Sequence, residues 1–271
     1  MNSVKPSISL VLSSGGARGI AHIGVIEEIL SRGYTINSVA GASMGALVGG
    51  VYAAAPIKGV DIFREWLADL DKRRMFELMD FSFSLDGLVK GKRVVKAINN
   101  FIPDIYIEDL RIPFAAVATN ILNGDEVVFT RGKLFDAIRA SISIPSLFKP
   151  YKIDKMLLVD GAVTNPLPLN CAIREEGDIL VAVDVSAKST NSLKKSDVNY
   201  YSLMIQTTNI MVQQLTTANV ERYSPDILIN IPYDCCRAME FYKSEEIVKI
   251  GREQARIALN RYEERLKFIK E

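Results

Sequence analysis

Short apolar runs near the start of the chain are each followed by a glycine-rich turn and a segment with helical spacing. Ser7 to Ser13 predicts a short buried strand, and Gly15 to Gly19 predicts a turn that opens a helix. Ser38 to Ala40 predicts a second strand, and the turn Gly41 to Gly45 leads into a helix of small residues. The order of strand, glycine turn and helix therefore occurs twice.

The same alternation continues through the rest of the chain. Strands are predicted at 113–119, 126–130, 155–159, 179–185 and 226–231, and helices at 60–73, 91–101, 200–223 and from Ser244 to the C-terminus. Strands that alternate with helices predict an α/β fold, here a three-layer α/β/α sandwich with a mainly parallel central sheet. A polar segment at 187–199 predicts a loop, and no shift in composition divides residues 1–271, so we expect a single domain.

Charge and cysteine content exclude several classes of function. Lys and Arg number 33 against 32 Asp and Glu, so the chain lacks the basic excess that binds nucleic acid. The basic run Lys72-Arg73-Arg74 is expected to end a helix, where cations suit the helix dipole. Cys171 and the pair Cys235-Cys236 have neither disulfide nor zinc spacing, so a reducing cytosol fits best and no metal is expected.

One uncharged segment, residues 33–57, raises the question of a membrane helix. Gly41, Gly45 and Gly49 follow the four-residue spacing of membrane helix pairs. However, the segment is rich in Gly, Ala and Ser rather than in the large apolar residues that favour insertion. A buried helix explains it better, and the apolar run at Ile8 to Leu12 is short for a signal peptide, so neither a membrane span nor a signal peptide is expected.

The turn Gly41-Ala42-Ser43-Met44-Gly45 has the G-x-S-x-G pattern between a predicted strand and a predicted helix. This is the context of a nucleophile elbow, in which the turn exposes a serine hydroxyl and the next backbone N–H, here that of Met44, faces a developing oxyanion. A serine that merely caps a helix explains the pattern about as well when the motif is taken alone.

The earlier glycine turn, at residues 15–19, offers backbone N–H groups at the start of a helix, where a phosphate or an oxyanion can bind. A dinucleotide site would have an acidic residue near the end of the second strand, whereas that strand leads into Gly41 and Ser43. The turn is therefore assigned to the same reaction as Ser43, although a plain tight turn explains the loop better when it is taken alone.

A serine nucleophile needs a base, and the chain has one histidine. His22 precedes Ser43, against the order found in α/β-hydrolases, and a packed or capping role is more ordinary for it. The best candidate base is Asp160, which ends an apolar strand and precedes Gly161. Because parallel strands end at one edge of a sheet, the glycine turn, Ser43 and Asp160 are expected to leave their strands toward that edge.

Together these motifs resemble those of the patatin-like phospholipases. The similarity rests on Ser14 to Gly19, Gly41 to Gly45, Asp160-Gly161-Ala162 and the segment Ala140 to Pro145, and it extends over about residues 7–186. The family usually begins its first loop with Gly, where this chain has Ser14, so the chain departs from the family pattern at this position.

The resemblance implies a hydrolase of lipid acyl esters with a Ser-Asp dyad and no cofactor. The resemblance implies that Ser43 is the nucleophile, that Asp160 is the base, and that the oxyanion-hole donors are Gly15, Gly16 and Met44. The supporting motif residues are Arg18, Gly19, Gly41, Gly45 and Gly161. The expected location is cytoplasmic or peripheral at a membrane. The alternative is a non-catalytic membrane-associated or binding protein that uses the glycine-spaced helix at 41–55. An apolar segment at 75–89 is a candidate border of the acyl site, with core packing as the plainer explanation.

Overall fold

Predominantly apolar runs of four to seven residues form the central strands of one mixed sheet. The computed structural model describes residues 5–78, 92–145, 147–187, 199–237 and 239–270. Within them the strands are β1 (Ile8–Leu12), β2 (Ile36–Ala42), β3 (Phe114–Asn120), β4 (Asp125–Phe129), β5 (Tyr151–Ile153), β6 (Met156–Asp160), β7 (Ile179–Asp184) and β8 (Ile227–Asn230). Their order in the sheet is β5-β6-β3-β2-β1-β7-β8, with β4 also paired to β3.

Helices fill most of the intervals between strands. They are α1 (Ala21–Ser31), α2 (Met44–Ala54), α3 (Lys58–Ala68), α4 (Lys72–Leu78), α5 (Lys92–Asn99), α6 (Leu134–Ser141), α7 (Tyr200–Tyr223) and α8 (Ser244–Lys270). The predicted helices at 200–223 and from Ser244 are confirmed. Helix α6 and the short strand β5 have no counterpart among the predicted elements.

Alternate residues of the central strands pack into opposite layers of the molecule. Leu10 and Leu12 of β1 join a large core with α1, α2, α6 and α8. Val11, between them, faces a smaller core that includes Val220 of α7. The alternation follows from the two-residue period of a strand, and it confirms the three-layer α/β/α architecture. Strands β3, β2, β1, β7 and β8 pair in parallel, as expected for a mainly parallel sheet.

The glycine-spaced helix α2 lies inside the protein. Its residues from Met44 to Ala53 are buried. A Cβ at Gly49 would stand 2.7 Å from Val39, and one at Gly50 would stand 2.6 Å from Ile138, so the glycines permit close packing within the fold. The expectation of a buried helix is confirmed. Among the described helices, none is long and apolar enough to cross a bilayer.

The predicted helix at 60–73 is interrupted, which corrects the expectation for the basic cluster. Helix α3 ends at Ala68, and Asp71 then accepts a 2.7 Å hydrogen bond from the backbone N–H of Arg74. This contact caps the start of α4. Lys72-Arg73-Arg74 therefore begins a helix instead of ending one, so the helix dipole does not explain it.

Strand β6 runs opposite to the direction that the sequence predicts, and this decides where Asp160 lies. Strand β6 pairs with β3 in the antiparallel direction, and Asp160 lies opposite Ala118. Strand β2 pairs with β3 in the parallel direction, and its last residue, Ala42, lies opposite Val117. Since β4 occupies the other edge of β3 from Ala116 to Asn120, β2 and β6 share one edge. Their carboxyl ends meet end to end, which brings Ser43 and Asp160 together.

Candidate active site

Ser43 stands on a strained turn between β2 and α2. Its φ of 54° lies in the region that favours glycine, and its ψ is −122°. Strain of this kind costs about 1–3 kcal/mol and persists where the surrounding structure imposes it. Here the turn is held by the close packing of its two flanking glycines against neighbouring backbone.

Both glycines of the G-x-S-x-G pattern are required by close backbone approaches. A Cβ at Gly41 would lie 2.5 Å from the carbonyl of Gly45, and a Cβ at Gly45 would lie 2.2 Å from the carbonyl oxygen of Leu12. These contacts bring the first turn of α2 against the end of β1. The turn that carries Ser43 is thus packed directly beside the first glycine loop.

Ser43 and Asp160 form a buried hydrogen-bonded pair. The Ser43 Oγ donates to Asp160 Oδ2 at 2.5 Å, and the other carboxylate oxygen accepts from the Ala162 N–H at 2.9 Å. Burial raises the pKa of Asp160 to about 6, against the lowering effect of these two hydrogen bonds. The carboxylate is therefore a stronger base than an exposed aspartate, and it is already in contact with the serine proton.

Two serines that the sequence did not single out hold this pair in place. Ser141, at the end of α6, accepts a 2.8 Å hydrogen bond from the Ser43 N–H and donates to the carbonyl of Val117 at 2.6 Å. The carbonyl of Ser143 accepts from the Asp160 N–H at 2.9 Å. Both belong to the segment Ala140 to Pro145, which carried part of the family resemblance without any assigned role.

The first glycine loop joins β1 to the three-residue-per-turn helix Gly16–Ile20. Gly16 has φ 58°, and a Cβ at Gly15 would lie 2.2 Å from the side chain of Val185. Ser14, the departure from the family pattern, donates its backbone N–H to Pro166 at 2.8 Å. That N–H is therefore engaged within the protein.

Gly19 links this loop to the serine turn, because the side chain of Met44 packs against it. A Cβ at Gly19 would lie only 2.4 Å from the Cγ of Met44. Met44 is the first residue of α2, so its backbone N–H lies among those without a partner inside the helix. The loop and the serine turn thus form one packed unit.

Arg18 and Gly161 also act through packing. Arg18 is buried, and its Nε donates to the carbonyl of Val185 at 3.1 Å. A Cβ at Gly161 would lie 2.2 Å from the carbonyl oxygen of Val117, so only glycine allows the Asp160 turn to approach β3 this closely.

His22 lies under the first glycine loop and is completely buried. Its Nε2 lies 2.9 Å from the carbonyl oxygen of Ser13, to which it donates, and burial lowers its pKa to about 4. Its Nδ1 has no hydrogen-bond partner among the described residues. A neutral imidazole that holds a loop carbonyl matches the packed role expected from the sequence.

The apolar segment proposed to border the acyl site is placed only in part. Met75 and Leu78 are half-buried residues of α4, and residues 79–89 lie outside the described part of the chain. The polar segment predicted at 187–199 also lies mostly outside it. The assignment of 75–89 to an acyl site therefore stays a prediction.

The chain is similar to sequences of the patatin-like and NTE families over most of its length. A family profile described as patatin-like phospholipase matches residues 10–173. An uncharacterized NTE family protein of Mycobacterium tuberculosis is 30% identical over 339 residues, which cover 96% of this chain and 93% of that protein. The neuropathy target esterase sws of Drosophila melanogaster is 29% identical over 247 residues, covering 89% of this chain and 17% of that protein.

A solved structure shares the fold at low sequence identity. The crystal structure of VipD from Legionella pneumophila aligns with a TM-score of 0.55 and 16% identity, over 95% of this chain and 67% of that chain. At this identity the likeness concerns the fold alone, and it agrees with the three-layer architecture described above.

The buried carboxylate makes a prediction about stability. Because the pKa of Asp160 is about 6 in the folded state against 3.8 for the ordinary group, the folded state holds its proton more strongly and loses stability as pH rises through this window. We expect the free energy of unfolding of Asp160→Asn to exceed that of the wild type at pH 8 by up to about 3 kcal/mol, with a higher melting temperature, and the two proteins to melt at the same temperature near pH 3. Thermal melts at both pH values test this, and a lower melting temperature at pH 8 would mean that the carboxylate braces the Gly161 turn.

Proposed function

The chain belongs to the patatin-like phospholipase family, whose members hydrolyse lipids, and from that premise we propose that it is a serine acyl-ester hydrolase with a Ser43–Asp160 dyad. The observation that carries the proposal is the 2.5 Å hydrogen bond from Ser43 Oγ to a buried carboxylate. A serine on a strained turn, in contact with a base whose pKa is raised, is the arrangement that nucleophilic catalysis needs.

The proposed reaction begins when Ser43 Oγ attacks the acyl carbonyl carbon and its proton passes to Asp160. The carbonyl oxygen becomes an oxyanion, which accepts hydrogen bonds from the backbone N–H groups of Gly15, Gly16 and Met44. The tetrahedral intermediate then expels the alcohol, which takes the proton from Asp160. Water then attacks the acyl-enzyme as Asp160 takes one of its protons. The bond between the acyl carbon and Ser43 Oγ breaks, Asp160 returns the proton to Ser43 Oγ, and the fatty acid is released.

The proposed reaction depends on both the Asp160 base and the oxyanion donors. A carboxylate with a pKa near 6 accepts a hydroxyl proton more readily than one near 4, yet it remains a weak base toward serine. Stabilisation of the oxyanion must supply the rest, at about 10²- to 10³-fold for each well-placed donor. The rigid packing of Gly15 against Val185 and of Met44 against Gly19 supports such preorganised donors.

We further propose that the enzyme works at a lipid surface and meets it through α7. From Val198 to Val220 the sequence contains no charged residue and no histidine, and the outer face of the helix carries exposed apolar side chains. Met211 is 61% exposed and Leu203 is 54% exposed. An apolar, uncharged helix face is suited to the boundary between lipid head groups and acyl chains.

The connection of α7 within the sheet supports a position for this face near the edge that carries Ser43. Helix α7 connects β7 to the parallel strand β8, so it returns from the carboxyl edge to the amino edge. Its 24 residues span about 36 Å, more than a six-residue strand covers. Asn209 already donates to Tyr233, which follows the carboxyl end of β8, so the turns before it extend beyond that edge.

The alternative of a non-catalytic protein associating through residues 41–55 finds less support, because α2 is buried within the fold. We also propose a reducing, cytoplasmic location, which the three free thiols support.

Reaction with a fluorophosphonate probe tests whether the chain is a serine hydrolase. We expect one covalent adduct per chain, located on Ser43 by mass spectrometry, and none in Ser43→Ala. Ser31→Ala, which alters an exposed serine of α1, serves as the control and should be labelled like the wild type. Equal labelling of Ser43→Ala would contradict the proposal.

The identity of the base is tested by comparing two variants. Asp160→Asn should lower kcat by at least ~10³-fold while remaining folded, because the amide cannot accept the Ser43 proton. His22→Ala should cost less than about tenfold, since the imidazole would lie outside the proton path. In the wild type, kcat/KM should fall as pH drops through about 6, the pKa of Asp160, whereas a histidine base would place that limb near 4. An active Asp160→Asn enzyme would overturn the dyad.

The lipid-surface proposal is tested with charges on α7. Ile210→Glu combined with Met211→Glu should weaken sedimentation with phosphatidylcholine vesicles by about tenfold or more and leave hydrolysis of soluble p-nitrophenyl butyrate unchanged. The matched control is Ala218→Glu. Ala218 is also exposed, but it lies in the C-terminal half of α7, the half that packs on the sheet. Unchanged vesicle binding together with conversion of a dimer to a monomer would show instead that the face joins two copies of the chain.

A further inference from the structure

Two adjacent thiols lie beside the first glycine loop and have no part in the proposed reaction. Cys235 ends a short helix, Tyr233–Cys235, and Cys236 follows it. Their Sγ atoms are 4.0 Å apart. Cys236 is buried, whereas Cys235 is only partly buried.

Arg18 connects this pair of thiols to the loop that carries Gly15 and Gly16. Its guanidinium lies over the ring of Tyr233, 4.1 Å from the ring centre, and its Nε is bonded to the carbonyl of Val185. Val185 in turn packs against Gly15. A group attached to Cys235 would therefore enter a cluster that fixes the position of the loop.

We propose that Cys235 is a reactive thiol that forms mixed disulfides with small-molecule disulfides, and that the adduct slows lipid hydrolysis by displacing Arg18 and the loop. The slowing of hydrolysis rests on the proposed function, whereas the reactivity of the thiol does not.

The environment of Cys235 favours the thiolate. The hydrogen bond with Cys236 and the positive charge of Arg18 lower the pKa of Cys235 to about 7 despite partial burial. Cys236 is affected in the opposite direction: its contact with Cys235, its burial and the carboxylate of Glu240 raise its pKa. Cys235 is thus the nucleophile of the pair, and Cys236 is its hydrogen-bond partner.

The third cysteine provides an internal comparison. Burial, followed by the nearby Glu126 carboxylate, raises the pKa of Cys171 to about 12. The pKa of Cys235 is lowered and that of Cys171 is raised, so Cys235 is the more readily ionised of the two thiols near neutral pH. After allowance for the lower intrinsic nucleophilicity of a thiolate with a low pKa, Cys235 should still react faster than Cys171.

The chemical step is thiol–disulfide exchange with a reagent such as glutathione disulfide. The Cys235 thiolate attacks one sulfur, a new S–S bond forms, the original S–S bond breaks, and the departing glutathione thiolate takes up a proton from water. Closure to a disulfide between Cys235 and Cys236 is disfavoured, because adjacent Cα atoms lie about 3.8 Å apart, below the usual range for disulfides. The mixed disulfide is the expected product.

The test treats the full-length protein with glutathione disulfide at pH 7.5 and maps adducts by mass spectrometry. We expect one adduct, on Cys235, and a fall in p-nitrophenyl butyrate hydrolysis of about tenfold or more that dithiothreitol reverses. Cys235→Ser should keep the untreated rate and be insensitive to the reagent, and Cys171→Ser should behave as the wild type does. In Cys236→Ala the pH midpoint of the labelling rate should move upward, because the thiolate loses its hydrogen bond.

Different results overturn different parts of the proposal. An adduct mainly on Cys171 or Cys236 would refute the assigned thiol. An adduct on Cys235 without faster hydrogen exchange of the backbone amides at residues 13–20 would refute displacement of the loop, whether or not the protein hydrolyses esters. A protein whose Cys235 is modified and whose loop exchanges faster, but which hydrolyses no ester before treatment, would refute the proposed function alone.

Discussion

The arrangement of the site depends on one constraint in the sheet: β2 and β6 approach each other from opposite directions along the same edge of β3. The last residues of β2 and β6 pair with two adjacent residues of β3, Val117 and Ala118. The segments that follow β2 and β6 must therefore lie close together. Ser43 and Asp160 meet there at 2.5 Å. Gly161 allows the approach because any Cβ would collide with the carbonyl of Val117.

Burial of this pair has two opposite effects on the protein. Removal of Asp160 from water raises its pKa toward the range useful for a base, and the same desolvation makes the ionised folded state less stable. The left-handed conformation of Ser43 adds further strain. The surrounding layers compensate, since α2 and the central strands contribute a continuous apolar core.

The loops at the carboxyl edge form a connected packing network around the site. Ser141 links the serine turn to β3, while Arg18 links the first glycine loop to Val185 and to Tyr233. Tyr233 in turn accepts a hydrogen bond from Asn209 of α7. The proposed oxyanion donors, the thiol of Cys235 and the apolar face of α7 are therefore separated by only a few contacts, so a change at one element can reach the others.

The sequence by itself determined the features that depend on local interactions. Strand and helix positions follow from apolar spacing over a few residues, as at α7 and α8, and the two glycine turns follow from the steric demands of their own backbone. The start of α4 is also local, because it depends on the Asp71 cap, which apolar spacing does not record. The tertiary structure alone decided the antiparallel direction of β6, the bracing role of Ser141 and the position of Cys235 beside Arg18. Each of these depends on which distant segments pack together. The local pattern of apolar residues and glycines limits which secondary structure each segment can form. The direction of a strand and its pairing partner depend on the packing of the whole sheet.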